Sequence, residues 1–417
     1  MICTDSKTAT PIRRLGRRVA VIVAAVLVLL TFLTGAKLRG ETLQSDTIAL
    51  GMSTVLTGPN AHIGLNAREG VLAAIEEVNR NGGIKGRTLR LISLDDGYEP
   101  ARTGPNIRRL IEEDGALAIV GNVGTPTAVT AIPIARDSKT PFFGALTGAG
   151  VLRTNPPDRY VINYRASYAE ETSAMVEALV RQLGLRPEEI AFFTQRDAYG
   201  DAGFSGGAAA LRRHGLKNEN RIAHGRYERN TLAVENALAD ILLHRPYVKA
   251  VILVGAYAPC AEFIRLARQS DLDVPFLCVS FVGAAPLSEA LGAMGEGVIV
   301  TQVVPHFNAE LPIVQAYRRA MESLSAEADL DFCSLEGYVI TRILCQALES
   351  VRGELTRETI VDALEDLGRF EIGLGVPLQL SRNEHQACHR VWPTVLSEGK
   401  FVPFEWRQLG CATGAQQ

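Results

Sequence analysis

The chain has 417 residues, 47% of them hydrophobic and 21% charged, with a formal net charge of −3. That length exceeds one ordinary core and points to two or three domains, and the composition excludes a disordered chain. Without a basic excess it also excludes a nucleic-acid or acidic-membrane partner, because affinity for phosphate rests on clustered Lys and Arg.

The first forty residues stand apart. Arg13, Arg14, Arg17 and Arg18 precede the uncharged run Val19–Leu33, and Thr34-Gly35-Ala36 follow it. A basic start, a short apolar stretch and a small-residue exit form a secretory signal. The run is short for a spanning helix, which needs about 20 residues. Residues 1–40 are therefore read as a cleaved signal peptide or, alternatively, an uncleaved anchor. Either version leaves the bulk of the chain outside the cytoplasm.

Beyond it the pattern alternates. Thr47–Met52 is a strand, Asn66–Asn81 an amphipathic helix with Val71, Leu72, Ile75 and Val78 on one stripe, and Gly82-Gly83 its stop. Leu89–Leu94 is the next strand, Asp95–Pro100 its loop, and Ala101–Asp114 the next helix. Asp95 and Asp96 point in opposite directions at a strand end and are read as turn caps. Ala118–Val120 then breaks into Gly121, Gly124, Thr125 and Pro126, a helical pattern runs to Arg136, and Pro141–Leu146 ends in Thr147-Gly148. In an open parallel sheet, ligands sit outside the carboxyl ends of the strands, so the loops at Thr125 and Thr147 should line one rim. The loop at Thr125 also opens a helix whose free N–H groups suit an anion such as a carboxylate.

Gly148–Arg165 lacks a matching helix and reads as a crossing between lobes. A second alternating set follows: helix Glu170–Leu183, strand Ile190–Thr194, loop Gln195–Asp201, helix Gly203–His214 and strand Arg221–Tyr227. Helix Leu232–His244, strand Ala250–Val254, helix Cys260–Ser270 and strand Pro275–Val279 complete it. Gly297–Val304 reads as a second crossing, followed by helical patterns at Pro312–Ser323, Ser334–Val351 and Arg357–Leu367. The tail Phe370–Trp406 reads as strands added to existing sheets. Repeated strand–helix alternation implies parallel sheets covered by helices. The fold class expected is α/β, with two doubly wound parallel-sheet lobes joined by three crossings around a cleft.

Six cysteines follow Cys3: 260, 278, 333, 345, 388 and 411. Cys333 and Cys345 share one helical pattern at about 18 Å, too far to bridge. The set is either buried free thiols or holds one disulfide, such as Cys388 with Cys411. His385-x-x-Cys388-His389 has a spacing that binds metal on a helix, but no second Cys/His pair is near, so a structural or surface role is read instead. There is no H-E-x-x-H and no phosphate loop with Lys. No catalytic residue, cofactor or metal is assigned.

The motifs S-T-V-L-T-G-P-N-A-H-I-G (53–64), N-R-N-G-G-I-K-G (79–86), L-D-D-G-Y-E-P (94–100) and V-G-N-V-G-T-P-T-A (120–128) fall in order. Q-R-D-A-Y-G-D-A-G (195–203), L-V-G-A-Y (253–257) and S-L-E-G-Y (334–338) continue the series. Together, from about Asp46 to Trp406, the chain resembles the type I periplasmic binding proteins, specifically the branched-chain amino acid (Leu/Ile/Val) substrate-binding group of ABC importers. The resemblance implies an extracytoplasmic, monomeric solute-binding protein that closes a hinged cleft on a small amino-acid-like, amide or carboxylate ligand and docks on a membrane permease. The alternative is a membrane-anchored sensor that signals to a partner protein. Lobe one is expected at 46–163 plus 304–376, and lobe two at 164–303 plus 377–417.

By the same resemblance, Thr125 and the Leu146, Thr147 and Gly148 loop hold the ligand carboxylate and amine. Tyr199 covers the ligand from lobe two, Ala256 or Tyr257 makes a second contact there, and Ile63 with His62 lines the ligand side chain. Two departures follow. Ser280 or Phe281 stands where the family has a glutamate for the ligand ammonium, which shifts the expectation toward amide or carboxylate ligands. Tyr98 and Gly124 stand where the family has a lobe-one disulfide. Arg165 is read as positioning the crossing segment.

Overall fold

The computed structural model describes residues 47–409 apart from Arg245. The expected export segment and Cys411 lie outside the described residues. Among those described, no helix is long and apolar enough to cross a membrane.

The first half alternates strand and helix: β1 (Thr47–Thr54), α1 (Ala61–Arg80), β2 (Thr88–Asp95), α2 (Pro100–Glu112), β3 (Ala118–Val120), α3 (Thr125–Asp137), β4 (Phe142–Phe143) and β5 (Val161–Ile162). They form a parallel sheet in the order β2-β1-β3-β4-β5. The second set is α4 (Tyr168–Leu183), β6 (Ile190–Gln195), α5 (Ala198–Arg213), β7 (His224–Tyr227), α6 (Glu235–Leu242), β8 (Ala250–Val254), α7 (Tyr257–Gln269), β9 (Phe276–Cys278), α8 (Ala284–Leu291) and β10 (Ile299–Gln302). Its parallel strands run β7-β6-β8-β9-β10, the same winding order as the first sheet. In both sheets the order reverses at the first strand, which opens a crevice at the carboxyl edge where ligands sit in such sheets.

The remainder is α9 (Pro312–Leu324), α10 (Phe332–Ser350), α11 (Arg357–Glu365), and β11 (Gly368–Phe370), β12 (Leu378–Leu380), β13 (Trp392–Ser397) and β14 (Lys400–Pro403). β13 and β14 add antiparallel to the edge of the second sheet, as expected of the tail, whereas β11 and β12 form a hairpin of their own. Both sheets are apolar through their centres: Ile48, Leu50, Ile119, Val120, Phe192, Val251 and Leu277 are fully buried. Burial on both strand faces explains why these strands read as continuous apolar runs rather than alternating ones.

Several expectations are corrected. Residues 198–202 are the first turn of α5, not loop, because the Asp197 side chain caps that helix by accepting from Tyr199 N at 3.0 Å. Ile299–Gln302, within the run read as a crossing, is an interior strand between β9 and β13. The helix Ala284–Leu291 went unread. Cys388 is a buried free thiol, not half of a disulfide, and His385-x-x-Cys388-His389 is not helical.

The crossings lie side by side. Asn163 N donates to His385 O at 2.7 Å, Ala387 N to Asn163 O at 2.9 Å, and Cys388 N to Tyr164 O at 2.8 Å. Tyr164 Oη donates to Val303 O at 3.0 Å. Helix α10 meets α1 at backbone distance: a Cβ on Gly70 would stand 1.8 Å from Ser334 O. Only glycine allows that approach, and it sets the first turns of α10 beside the loop after β1.

Candidate functional site

The loops at the carboxyl edge of the first sheet converge on a hydroxyl pair. The Oγ1 atoms of Thr125 and Thr147 are 2.6 Å apart and buried. Thr125 opens helix α3 behind Gly124. Thr147 is held by its loop: Leu146 N donates to Asn122 O at 2.8 Å, and Ala149 N donates to Thr147 Oγ1 at 3.3 Å. One hydroxyl of the pair donates to the other, so the second keeps a proton to give elsewhere. Gly148 O accepts from Tyr168 N at 2.8 Å, which ties this loop to the start of α4.

From the second sheet comes an aromatic wall. Tyr199, fully buried in the first turn of α5, lies 5.1 Å from Tyr168 and 4.9 Å from Phe281 between ring centroids. Its hydroxyl donates to Gly255 O at 3.3 Å. Ala256 N donates to Tyr227 Oη at 3.0 Å, and the partly exposed Tyr257 opens α7 beside it. Tyr98, on the loop after β2, bridges the two layers. Its ring is 5.9 Å from Phe281, and its hydroxyl accepts from Gln195 Nε2 at 3.4 Å. Ile63 is buried next to Gly283, 3.7 Å from where a Cβ there would lie. His62 turns the other way, to Asp331 at 3.5 Å and Asn66 at 2.9 Å. Burial works against protonating His62, but Asp331 raises its pKa overall. Asp331 also lines a groove of ≈ 660 Å³ with Phe307, Phe332 and Phe401.

Beneath the wall lies a charged floor. Arg165 is 2% exposed; its guanidinium donates to Ser280 Oγ and lies 3.6 Å from Glu171 and 3.5 Å from Glu336. It also sits 5.8 Å from the Tyr168 ring centroid. Ser280, where the resemblance misses a glutamate, is instead the seat of Glu171. Ser280 N and Oγ donate to that carboxylate at 2.7 and 3.0 Å, and Thr301 Oγ1 donates at 2.6 Å. The structure thus brings Thr125, Leu146, Thr147, Gly148, Tyr199, Ile63 and Ser280 into one neighbourhood and leaves His62 at its margin.

Sequence reasoning missed Tyr98, Tyr168, Glu171 and Glu336 as members of this neighbourhood, named Phe281 only as an alternative to Ser280, and gave Arg165 only a positioning role. Glu336 carried a readable signal: it is the lone acid between Leu335 and the apolar positions Val339 and Ile340 of α10, and it is buried with them. Asp95 behaves as the turn cap expected of it, accepting from Leu56 N at 2.8 Å, Thr57 Oγ1 at 2.7 Å and Gly97 N at 3.0 Å. Asp96 does likewise toward Ser53 Oγ at 2.8 Å and Tyr98 N at 3.0 Å. His385 is buried, with Nδ1 3.0 Å from Asp158 O. Among the described residues no group of three metal-ligating side chains gathers. Gly203-Phe204-Ser205-Gly206-Gly207 matches the nucleophile-elbow spacing, yet it lies inside α5 with Ser205 exposed. A nucleophile elbow needs a strained strand-to-helix turn.

Residues 47–400 match the model of a family described as periplasmic binding proteins. A possible leucine/isoleucine/valine-binding protein from Rhodopirellula baltica SH 1 is 53% identical, with a TM-score of 0.85 over 89% of this chain and 100% of that one. A substrate-binding periplasmic protein from Ralstonia solanacearum is 27% identical, with a TM-score of 0.78 over 86% of this chain and 100% of its own. The leucine-, isoleucine-, valine-, threonine- and alanine-binding protein of Pseudomonas aeruginosa is 23% identical, across 77% of this chain and 82% of that protein.

Proposed function

The chain belongs to the periplasmic binding protein family, so it binds solutes rather than catalysing a reaction, and from that premise we propose that it serves an ABC importer. It closes on a small amino-acid-like, amide or carboxylate ligand outside the cytoplasm and delivers it, as a monomer, to a membrane permease. The observation that carries this reading is the meeting of the Thr125–Thr147 hydroxyl pair with the Tyr199–Tyr168–Phe281 wall. Donors for a carboxylate or carbonyl come from one sheet, and aromatic faces that exclude water come from the other. Sites of this kind are mostly apolar with a few convergent polar groups, and they favour interdomain clefts.

The lobes are 47–163 with 304–376, and 164–303 with 377–409, moving about the neighbouring crossings; hinge closure is a known mode for such proteins. At the rim, Glu99 pairs with Arg229 at 2.9 Å and accepts from Asn230 Nδ2 at 2.6 Å, while Asn60 Nδ2 donates to Asn230 Oδ1 at 3.0 Å. Those contacts fit a latch of the closed state. The names of the relatives favour leucine, isoleucine, valine, threonine and alanine as the first ligands to try.

A thermal-shift screen of amino acids, amides and short carboxylates, followed by calorimetry on the hits, tests the reading. A ligand binding one to one and raising the melting temperature is the expected result. No shift with any of these classes would overturn it.

A further inference from the structure

The buried charged groups under the aromatic wall are unevenly partnered, and the gap falls on one carboxylate oxygen. Arg165 is shared between Glu171 at 3.6 Å and Glu336 at 3.5 Å, and Glu171 is also held as an acceptor by Ser280 N, Ser280 Oγ and Thr301 Oγ1, so that it acts as a carboxylate. Arg153, behind the floor, donates to Thr147 O, Ala149 O, Arg165 O and Gln386 Oε1. Its field falls on Glu170, which His389 contacts at 2.7 Å, and reaches Glu171 and Glu336 as well. Asp331, on the far side, has His62. Glu336 is left with a 3.5 Å approach to a guanidinium already facing Glu171 and Ser280. Its Oε1 is buried without a hydrogen-bond partner among the described residues. A buried carboxylate oxygen left without a hydrogen bond is costly even where an arginine stands near the other oxygen.

Two buried donors lie nearby: Arg165 Nε has no hydrogen-bond partner among the described residues, and Tyr168 Oη has at most a loose one in the Thr147 side chain. With the proton left over at the Thr125–Thr147 pair, the site therefore presents donors toward the α3 side and one anionic acceptor at α10.

We propose that the Glu336 carboxylate receives a cationic nitrogen of the ligand, while Thr125, Thr147 and Tyr168 face its carboxyl or carbonyl group. This rests on the solute-binding reading and deepens it. The acid missing at Ser280 is supplied from the helix Phe332–Ser350, on the opposite side of Arg165, and it sets the preference for amine-bearing solutes. Burial, with the Glu171 charge beside it, lifts the Glu336 pKa to about 7 against the pull of Arg165 and Arg153.

The test uses matched pairs that differ only in the amine: leucine with 4-methylpentanoate, and alanine with propanoate. Their affinities are measured by calorimetry on the purified protein and on Glu336→Gln. The expected result is a preference of about tenfold or more for one amine-bearing member in the wild type, falling to about threefold or less in the variant, as the loss of a charge-assisted contact implies. The wild-type comparison stands even where Glu336→Gln fails to fold, and calorimetry in two buffers of different ionisation enthalpy adds proton release on amine binding at pH near 7. Equal or tighter binding of the deaminated members by the wild type overturns the proposal while leaving the solute-binding reading intact. So does binding of other solutes with none from either pair. Failure of every solute class overturns both.

Discussion

The ring of Tyr98 occupies the space that a side chain at Gly124 would need: a Cβ there would stand 2.1 Å from Tyr98 Cε2. Gly124 also has φ 98, outside the range of other residues. Here the Tyr98 ring continues from Gly124 to Phe281 and Gln195 beside the other sheet. Gly124→Ala should therefore destabilise the fold by roughly 2–4 kcal/mol, through overpacking and backbone strain together. In a Tyr98→Ala background the same change should cost only about 1–2 kcal/mol, since the clash is gone and the strain remains. Urea denaturation of the four proteins measures the coupling, and equal costs in both backgrounds would break the argument.

Glu336 gives a pH signature. Its folded pKa of about 7 lies above its ordinary 4.5, so the folded state binds the proton more tightly. Its contribution to stability is complete below about pH 4.5 and is lost as pH rises through about 7, by on the order of 3 kcal/mol. The unfolding free energy of the wild type minus that of Glu336→Gln should thus fall between pH 5 and pH 8. The difference isolates this group from Glu171, whose pKa is also raised, chiefly by burial. A flat difference would mean that Glu336 keeps its charge throughout.

Tyr199 separates packing from polarity. Tyr199→Phe removes only a 3.3 Å hydrogen bond to Gly255 O and should cost about 1 kcal/mol of stability. Tyr199→Ala empties the space between Tyr168 and Phe281 and should cost about 3–5 kcal/mol. Affinity for a ligand found by screening should fall far more with Ala than with Phe. Similar affinities for both variants would remove Tyr199 from the ligand wall.

The rim pair makes a kinetic prediction. Glu99 and Arg229 are partly exposed, so their link is worth up to about 1 kcal/mol. Glu99→Ala should raise the ligand dissociation rate by about two- to fivefold and leave the order of ligand preference unchanged. Stopped-flow release measurements check it. An altered order of preference would place Glu99 at the ligand rather than at the rim.

The alternation of strands and helices was legible because each buried strand is a continuous apolar run and most helices end at Gly or a polar cap. The early turn of α5 was hidden because Gly200 looks like a loop residue, although a Cβ there would stand 1.9 Å from Gln195 O. Strand β10 reads as part of a crossing because the helix before it, α8, is only eight residues long. In the site, Thr125, Thr147 and Tyr199 sit at strand ends, where position alone suggests a role. Glu171 and Glu336 are separated by more than 160 residues in sequence and meet only through Arg165, a relation that no local pattern carries.

The side-by-side crossings bear on how the chain is made. The stretch His385–Cys388, which binds the backbone of Asn163 and Tyr164, and the edge strands β13 and β14 are made only after every parallel strand of both sheets. Both sheet-centred halves therefore wait on segments that follow their own parallel strands, so a nascent polypeptide stays short of its native state until residues 385–403 emerge. A product truncated before Ser381 would lack the third crossing and the second sheet's edge together, and would remain a target for proteolysis rather than persist as a weaker binder.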